Sequence, residues 1–215
     1  MAKTIWVTSD THFWHEEALA LYKREFGGVE EMNDALIDWI NATVGKGDEL
    51  WHLGDFVAGL PWKKQPRKAV KLARDCRDRI RCTTVHLVRG NHDPRGEKHF
   101  DRLFDGVDDI VSARGIAGID ERLVLFHYPI EQWQGRPNGG FHLHGHVHGH
   151  GASLARRCDV GIDVAAHGGR PRELTALVGD IVPLIVMGFV FIPLGIWAFG
   201  RAERYAKRTG KLKRV

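Results

Sequence analysis

Cysteine is almost missing from this chain. Three residues (Cys76, Cys82, Cys158) among 215 are too few and too scattered for a disulfide framework or a paired-cysteine zinc site. They read as reduced packing residues, in keeping with a cytosolic folding environment. No long apolar stretch precedes Asp10, so a secretory signal is not expected. Positive charge is lacking too, outside one place. The formal net charge is +4, yet the last fifteen residues, RAERYAKRTGKLKRV, carry seven Lys/Arg against one Glu. The remainder is weakly acidic. Polynucleotide backbones are held by Lys/Arg contacts, so the main body gives no strong nucleic-acid signal. Lys63, Lys64, Arg67, Lys68 and Lys71 gather locally, as a solvated helix face would. There is no internal repeat, and nothing in the pattern selects an oligomeric state.

One long hydrophobic run is present. Residues 181–200, IVPLIVMGFVFIPLGIWAFG, contain no charge and are long enough to cross a bilayer. A buried core helix is the competing reading, but core helices seldom lack a polar face. The basic flank and a preceding domain without an export signal should both stay cytoplasmic. A shallow hairpin broken at Pro183 and Pro193, or an interfacial segment held by the basic tail, satisfies both. The expectation is a cytoplasmic main domain over 1–176 and a membrane-associated segment with a basic tail over 177–215.

Within the main domain, short apolar runs stop repeatedly at polar residues. TIWV leads into Ser9-Asp10-Thr11-His12, ELWHL into Gly54-Asp55, and TTVHLV into Gly90-Asn91-His92-Asp93. RLVLF leads into His127, FHL into a histidine-rich turn, and CDVGIDV follows. Length and β-branched content predict strands. Met32, Leu36, Ile40 and Val44 recur at helical spacing before Gly45, and PRKAVKLARDCRDRI opens on a proline suited to a helix start. The class is α/β, with strands enriched in the second half.

The stretch HLHGHVHGH holds His142, His144, His146, His148 and His150. Gly145 and Gly149 favour a turn over a regular strand. Taken alone, the stretch fits a surface histidine tract as well as a ligand cluster. Candidates elsewhere weigh on the choice. Asp10, His12, Asp55, Asn91, His127, His146 and His148 form a nitrogen and oxygen set without thiolate. Such a set suits manganese, iron, zinc or related ions rather than calcium. Seven ligands exceed one tetrahedral ion but suit two ions sharing a carboxylate, with Asp55 the natural bridge.

Together, DTH at 10–12, GD at 54–55, GNHD at 90–93, the lone His127 and GHVH at 145–148 resemble the calcineurin-like metallophosphoesterases. SDTHF.H, EEMNDALI, HLGDF and DVGIDV further resemble a small bacterial branch of that family, over about residues 4–175. The resemblance implies a four-layer β-sandwich flanked by α-helices, with a hydrophobic C-terminal helix outside the family pattern. It implies two divalent ions, manganese foremost, with iron, zinc, cobalt or nickel as alternatives. Asp10, His12 and His148 would hold one ion, and Asn91, His127 and His146 the other, with Asp55 between. Metal-bound hydroxide would attack a phosphomonoester or phosphodiester. His92 would protonate the leaving oxygen as general acid, and Asp93 would orient that imidazole.

Departures are visible. Trp14 stands where the branch would have glycine. Its indole would either narrow the site mouth and stack on an aromatic group or pack in the core. GDFVAG lacks the DRG continuation of the protein-phosphatase branch. His15 is a candidate for the substrate mouth. His142 and His144 are expected as supporting or strand residues, and His150 as exposed. His52, His86, His99 and His167 are expected to pack or face water. A catalytically inactive binding module is one alternative, but such a module should have lost ligands or the acid, and none is missing. A nuclease or nucleotide phosphodiesterase is another, weakened by the acidic body.

Overall fold

The apolar runs become strands where their composition predicts them. A computed structural model describes residues 3–152, 154–164 and 170–208, with backbone alone for 180–191 and 206–208. β1 (Ile5–Thr8), β2 (Glu49–His52) and β3 (Thr84–Val88) lie parallel in one sheet. β4 (Gly106–Asp108) extends that sheet beside β3, and β9 (Arg172–Glu173) runs antiparallel beside β1. The second sheet has the order β5 (Ile110–Ala113), β6 (Leu123–Phe126), β7 (Phe141–His144), β8 (Arg157–Asp159), parallel apart from β5.

The mixed sheets are flanked by helices, the α/β architecture expected. α2 (Val29–Thr43) turns Met32, Leu36, Ile37 and Ile40 inward, and α3 (Pro66–Arg79) turns Ala69, Ala73 and Cys76 inward. Most of these side chains meet Leu50, Val85 and Leu87 of the first sheet, with Phe100 of the short α4 (Lys98–Asp101). Each large aliphatic buried this way contributes about 1.5–3 kcal/mol, so Ile40→Ala should cost about 2–5 kcal/mol. Glu30 and Glu31 sit in the first turn of α2, where the helix dipole favours negative charge. The three cysteines are free. α1 (Glu17–Leu21), α4, β4, β5 and β9 were not anticipated: each has five residues or fewer, too short to show a hydrophobic period.

Register decides where the site forms. Thr8 lies beside His52, and His52 beside Leu87, so the loops after β1, β2 and β3 leave the sheet at one level. In the second sheet Leu125 pairs with Leu143 and His144 with Asp159. A bridge between Ser9 and Gly161 joins the strand ends of the two sheets. Ligand groups collect at the carboxyl ends of parallel strands in open α/β sheets, and here two sets of such ends converge.

The chain divides into two compact units between Leu177 and Val178. Helical backbone runs unbroken through α5 (Leu174–Arg208), so the expected hairpin broken at Pro183 and Pro193 does not form. Among the described residues no helix is long and apolar enough to cross a membrane.

Candidate metal centre

The polar residues after the strands sit in an unusual backbone. Asp10, His12, Asp55, His146 and His148 have φ of 61°, 50°, 55°, 71° and 49°. Non-glycine residues in this left-handed region are uncommon and mildly strained, and such residues cluster at functional sites. Hydrogen bonds between the loops hold the shape: Asp10 N donates to Gly54 O at 3.0 Å and His12 N to Asp55 O at 2.9 Å. Two glycines allow the loops to meet. A Cβ on Gly90 would lie 2.1 Å from Asp55 Oδ1, and one on Gly145 would lie 2.0 Å from Ser9 Oγ and 2.3 Å from Asp10 Oδ2.

Side chains far apart in sequence therefore meet. Asp10, His12 and His148 form one group whose candidate ligand atoms all lie within 4.8 Å; Asp55, His127 and His146 form a second. Asn91 Oδ1 reaches His127 Nε2 at 3.1 Å. Asp55 stands between the groups: its Oδ2 is 3.5 Å from His12 Nε2 and 3.4 Å from His127 Nε2. His92 is exposed at the rim, with its ring 5.1 Å from that of His12, and could reach His12 and Asp55 at similar range. All seven expected ligands and His92 are brought together.

Hydrogen bonding tests whether these groups suit cations. His127 Nδ1 lies 2.9 Å from Leu53 O, and His148 Nδ1 lies 2.6 Å from Asp163 Oδ2. Both partners are acceptors, so each Nδ1 carries a hydrogen and Nε2 is the atom each ring turns inward as a candidate ligand. His12 Nδ1 lies 3.1 Å from His15 Nδ1. With His12 donating there, its Nε2 lone pair also faces the centre. That Nε2 is buried and has no hydrogen-bond partner. Lone pairs aimed at a carboxylate oxygen repel it unless positive charge lies between them. The donor set and this orphaned nitrogen fit divalent cations, and outer partners that fix the tautomer are usual for metal-ligating histidines.

The titrating groups show the same demand for positive charge. Burial pushes Asp10 up to about 7 and His12 down to about 2. Burial opposes charge on His127 as well, but the hydrogen bond and negative charge of Asp55 outweigh it and raise the imidazole to about 8. Burial likewise opposes ionisation of Asp55. The His127 hydrogen bond, the His127 and His12 charges and the His92 N–H overcome it and hold the carboxyl below the usual range.

Asp93 differs from its expected role. Its Oδ2 accepts the N–H of Asp55 at 2.8 Å and of Gly90 at 2.9 Å, and its Oδ1 that of Phe56 at 3.0 Å. Backbone donors occupy both oxygens, so Asp93 shapes the loop carrying Asp55 instead of orienting the His92 ring. Trp14 turns inward: it packs against the core beside α2 and donates from Nε1 to Leu72 O at 3.1 Å. The core alternative holds there, and the mouth is not narrowed by this indole. His15 lies behind His12 and is nearly buried, a supporting position rather than an open mouth. His142 and His144 are buried strand residues, His150 is exposed, and His52 is buried against Thr11 Oγ1 at 3.0 Å. His86 and His99 lie at or near the surface; His167 falls outside the described residues.

Two further site residues were missed by the sequence reading. Asp163 holds His148, and Arg24 holds Asp163 in a two-point ion pair at 2.9 and 2.7 Å. DVGIDV contains Asp163, so the motif was a signal. No spacing pattern singled out Arg24, 139 residues away. A cavity of about 490 Å³ lined in part by Tyr22, Lys23, His148 and Asp163 opens beside this edge of the centre.

Residues 3–176 match the family described as calcineurin-like phosphoesterase. The chain is 29% identical over 146 residues to the uncharacterized protein MJ1445 of Methanocaldococcus jannaschii, covering 68% of this chain and 70% of that one. It is 30% identical over 203 residues to the Gene 66 protein of Mycobacterium phage D29, covering 82% and 96%. In fold it is similar to the protein of unknown function AQ665 from Aquifex aeolicus, with a TM-score of 0.61 at 21% identity over 84% of this chain and 100% of that one. With the family's pattern matched over most of its length and the candidate ligands gathered at the strand ends, this chain belongs to the calcineurin-like phosphoesterase family.

Proposed function

We propose that the protein is a dinuclear metal-dependent phosphoesterase that hydrolyses a small phosphomonoester or phosphodiester. The observation that carries this reading is the position of Asp55 Oδ2, nearly equidistant from His12 Nε2 and His127 Nε2. A single carboxylate oxygen facing two imidazole Nε2 atoms is what two neighbouring cations sharing one bridge require. Asp10, His12 and His148 would hold one ion, and Asn91, His127 and His146 the other. A nitrogen and oxygen set without thiolate suits manganese, iron, zinc, cobalt or nickel, and the family resemblance puts manganese first. When bound, such ions neutralise phosphoryl oxygens and bring the pKa of water toward neutrality.

The chain's own groups do the remaining work. The buried wall of Asp10, His12 and His127 excludes bulk water from one side, which strengthens every charge interaction there. Asn91 and His92 are exposed, so the substrate enters from their side. His92 gives its proton to the departing ester oxygen, a step worth about 10²–10⁴-fold in rate. For location, the proposal is a cytoplasmic main domain with 181–200 associated with a membrane surface. Exposed Ile192, Leu194, Ile196, Trp197 and Phe199 beside Arg201 and Arg204 support it. Release of the intact protein from membranes by high salt alone would reject a hydrophobic attachment.

The test of the activity is a panel of generic mono- and diesters assayed with manganese, comparing the wild type with Asp55→Asn. Metal-dependent turnover that falls at least a hundredfold in Asp55→Asn is expected. Full-rate turnover in that variant rejects the mechanism.

A further inference from the structure

Arg24 is buried, and its donors are fully committed. Nε and Nη2 reach the two oxygens of Asp163 at 2.9 and 2.7 Å; Nη2 also reaches Asp10 O at 2.7 Å, and Nη1 reaches Thr11 O at 2.8 Å and Met32 Sδ at 3.4 Å. Asp163 Oδ2 in turn takes the Nδ1–H of His148 at 2.6 Å. One guanidinium thus grips the segment that supplies Asp10 and His12 directly, and reaches His148 through Asp163. It holds the left-handed turn through two carbonyls and holds His148 through a carboxylate. A planar fork with fixed donor directions does this better than any other side chain.

The other group is held chiefly through its backbone, by Asp93 on the N–H groups of Asp55 and Gly90. His127 is fixed through Leu53 O, but Asn91 is exposed and His146 is only half-buried. His146 is tied to the first group through its backbone N–H, 3.1 Å from Asp10 Oδ1. The two halves therefore differ in preorganisation, and a preorganised set of ligands binds with less loss to ordering.

We infer that Arg24 is a positioning residue: through Asp163 and the Asp10 and Thr11 carbonyls it preforms the Asp10–His12–His148 half-site, so that this half loads its cation first and more tightly. The inference rests on the dinuclear reading above but concerns the order of loading rather than turnover. A residue with only a structural role would lower stability without separating the two affinities.

The experiment is calorimetric titration of Mn²⁺ into metal-free, full-length protein, comparing wild type, Arg24→Met, Arg24→Lys and Asp163→Asn. Two binding steps are expected for the wild type. Arg24→Met should weaken the tight step about 10–100-fold, the usual cost of losing an outer partner of a metal ligand, and leave the weak step within about threefold of wild type, the context scatter of a single interaction being a factor of 2–3. Arg24→Lys should fall between, because an ammonium cannot span both carboxylate oxygens. Asp163→Asn is nearly isosteric and decides the matter should Arg24→Met not fold: its amide NH2 must face either Arg24 Nε or both Arg24 Nη2 and His148 Nδ1, so a donor meets a donor whichever way it turns. Nitrogen-detected imidazole spectra of the metal-free protein give a second readout. His148 should be the Nδ1–H tautomer in wild type and a mixture in Asp163→Asn. A tight step unmoved in every variant, or two steps weakened equally, overturns the inference while leaving the metal centre intact. Wild-type protein that takes up no Mn²⁺ overturns the dinuclear reading itself.

Discussion

Asp93 accepts the backbone N–H of Asp55 at 2.8 Å. With Gly90 and Phe56 also donating to it, this buried carboxylate fastens the loop after β2 to the loop after β3. Asp93→Asn keeps the size but offers one acceptor oxygen where two are used. It should lower stability by about 1–3 kcal/mol, the cost of leaving buried donors unpaired. Mn²⁺ affinity should fall with it, because the bridging carboxylate is misplaced. Denaturant unfolding and metal titration check this. Lost turnover with unchanged stability would restore Asp93 to the role of orienting His92.

His92→Ala should behave in the opposite way. The ring is exposed, so stability should change by no more than about 0.5 kcal/mol. Turnover of esters with poor leaving groups should fall about 10²–10⁴-fold. Nitrophenyl esters, whose leaving oxygen needs little protonation, should be nearly spared. Equal losses on both substrate types would remove His92 from the acid's place.

Much of this centre is legible in the sequence for a physical reason. Strand ends hold polar groups rigidly, so Asp10, Asp55, Asn91 and His127 each follow an apolar run that marks its own end. The parallel strands are easily read because each is a short run of β-branched and apolar residues that ends abruptly at polar ones. What stays hidden is whatever depends on contact across the fold. Nothing near Arg24 announces that it will grip Asp163, and nothing near Asp93 says that its oxygens will go to backbone N–H groups. Trp14 is a similar case: only the position of the Leu72 carbonyl decides that its indole points inward. Short edge elements such as β4 and β9 escape because two or three residues carry no period.

Glycine spacing offers a direct steric test. A Cβ on Gly90 would lie 2.1 Å from Asp55 Oδ1 and 2.4 Å from Asp55 N, whereas one on Gly47 would meet nothing within 4 Å. Gly90→Ala should be destabilised by about 1–3 kcal/mol, as overpacking usually is, and should lose Mn²⁺ affinity. Gly47→Ala should stay within about 0.5 kcal/mol of wild type. Thermal melts of the two variants with and without Mn²⁺ compare them. Equal behaviour would show that the close approach of these loops is relaxed in solution.

Acid should weaken the fold partly through Asp48. Burial opposes ionisation of its carboxyl, but hydrogen bonds from Trp6 Nε1, Gly45 N and Thr4 N outweigh it and hold the pKa below 3.8. A pKa depressed on folding means that Asp48 stabilises above its unfolded pKa and that this contribution is lost as pH falls through the folded value. Asp48→Asn should therefore flatten the stability curve on the acid side, with its largest deficit relative to wild type at neutral pH. A deficit that grew toward low pH would contradict the sign.

Metal removal should expose how much repulsion the centre stores. Asp10 and Asp55 are both buried, and the charge of Asp55 adds to burial in raising the pKa of Asp10. Cations that bind only the folded chain stabilise it by mass action, by about 2.7 kcal/mol at a hundred times Kd. For a domain of this size that corresponds to about 5–10 °C in Tm. Dialysis against EDTA should lower the melting temperature by that order, and Mn²⁺ should restore it. In Asp55→Asn the shared ligand loses its charge, so the Mn²⁺-dependent gain should shrink to a small fraction. Asp55→Asn should be no more stable than wild type when both are metal-free, because it loses the favourable charge contact with His127 that holds the Asp55 carboxyl ionised. A wild-type melting temperature indifferent to both EDTA and Mn²⁺ would mean that the inward-facing imidazoles are satisfied by something other than divalent cations.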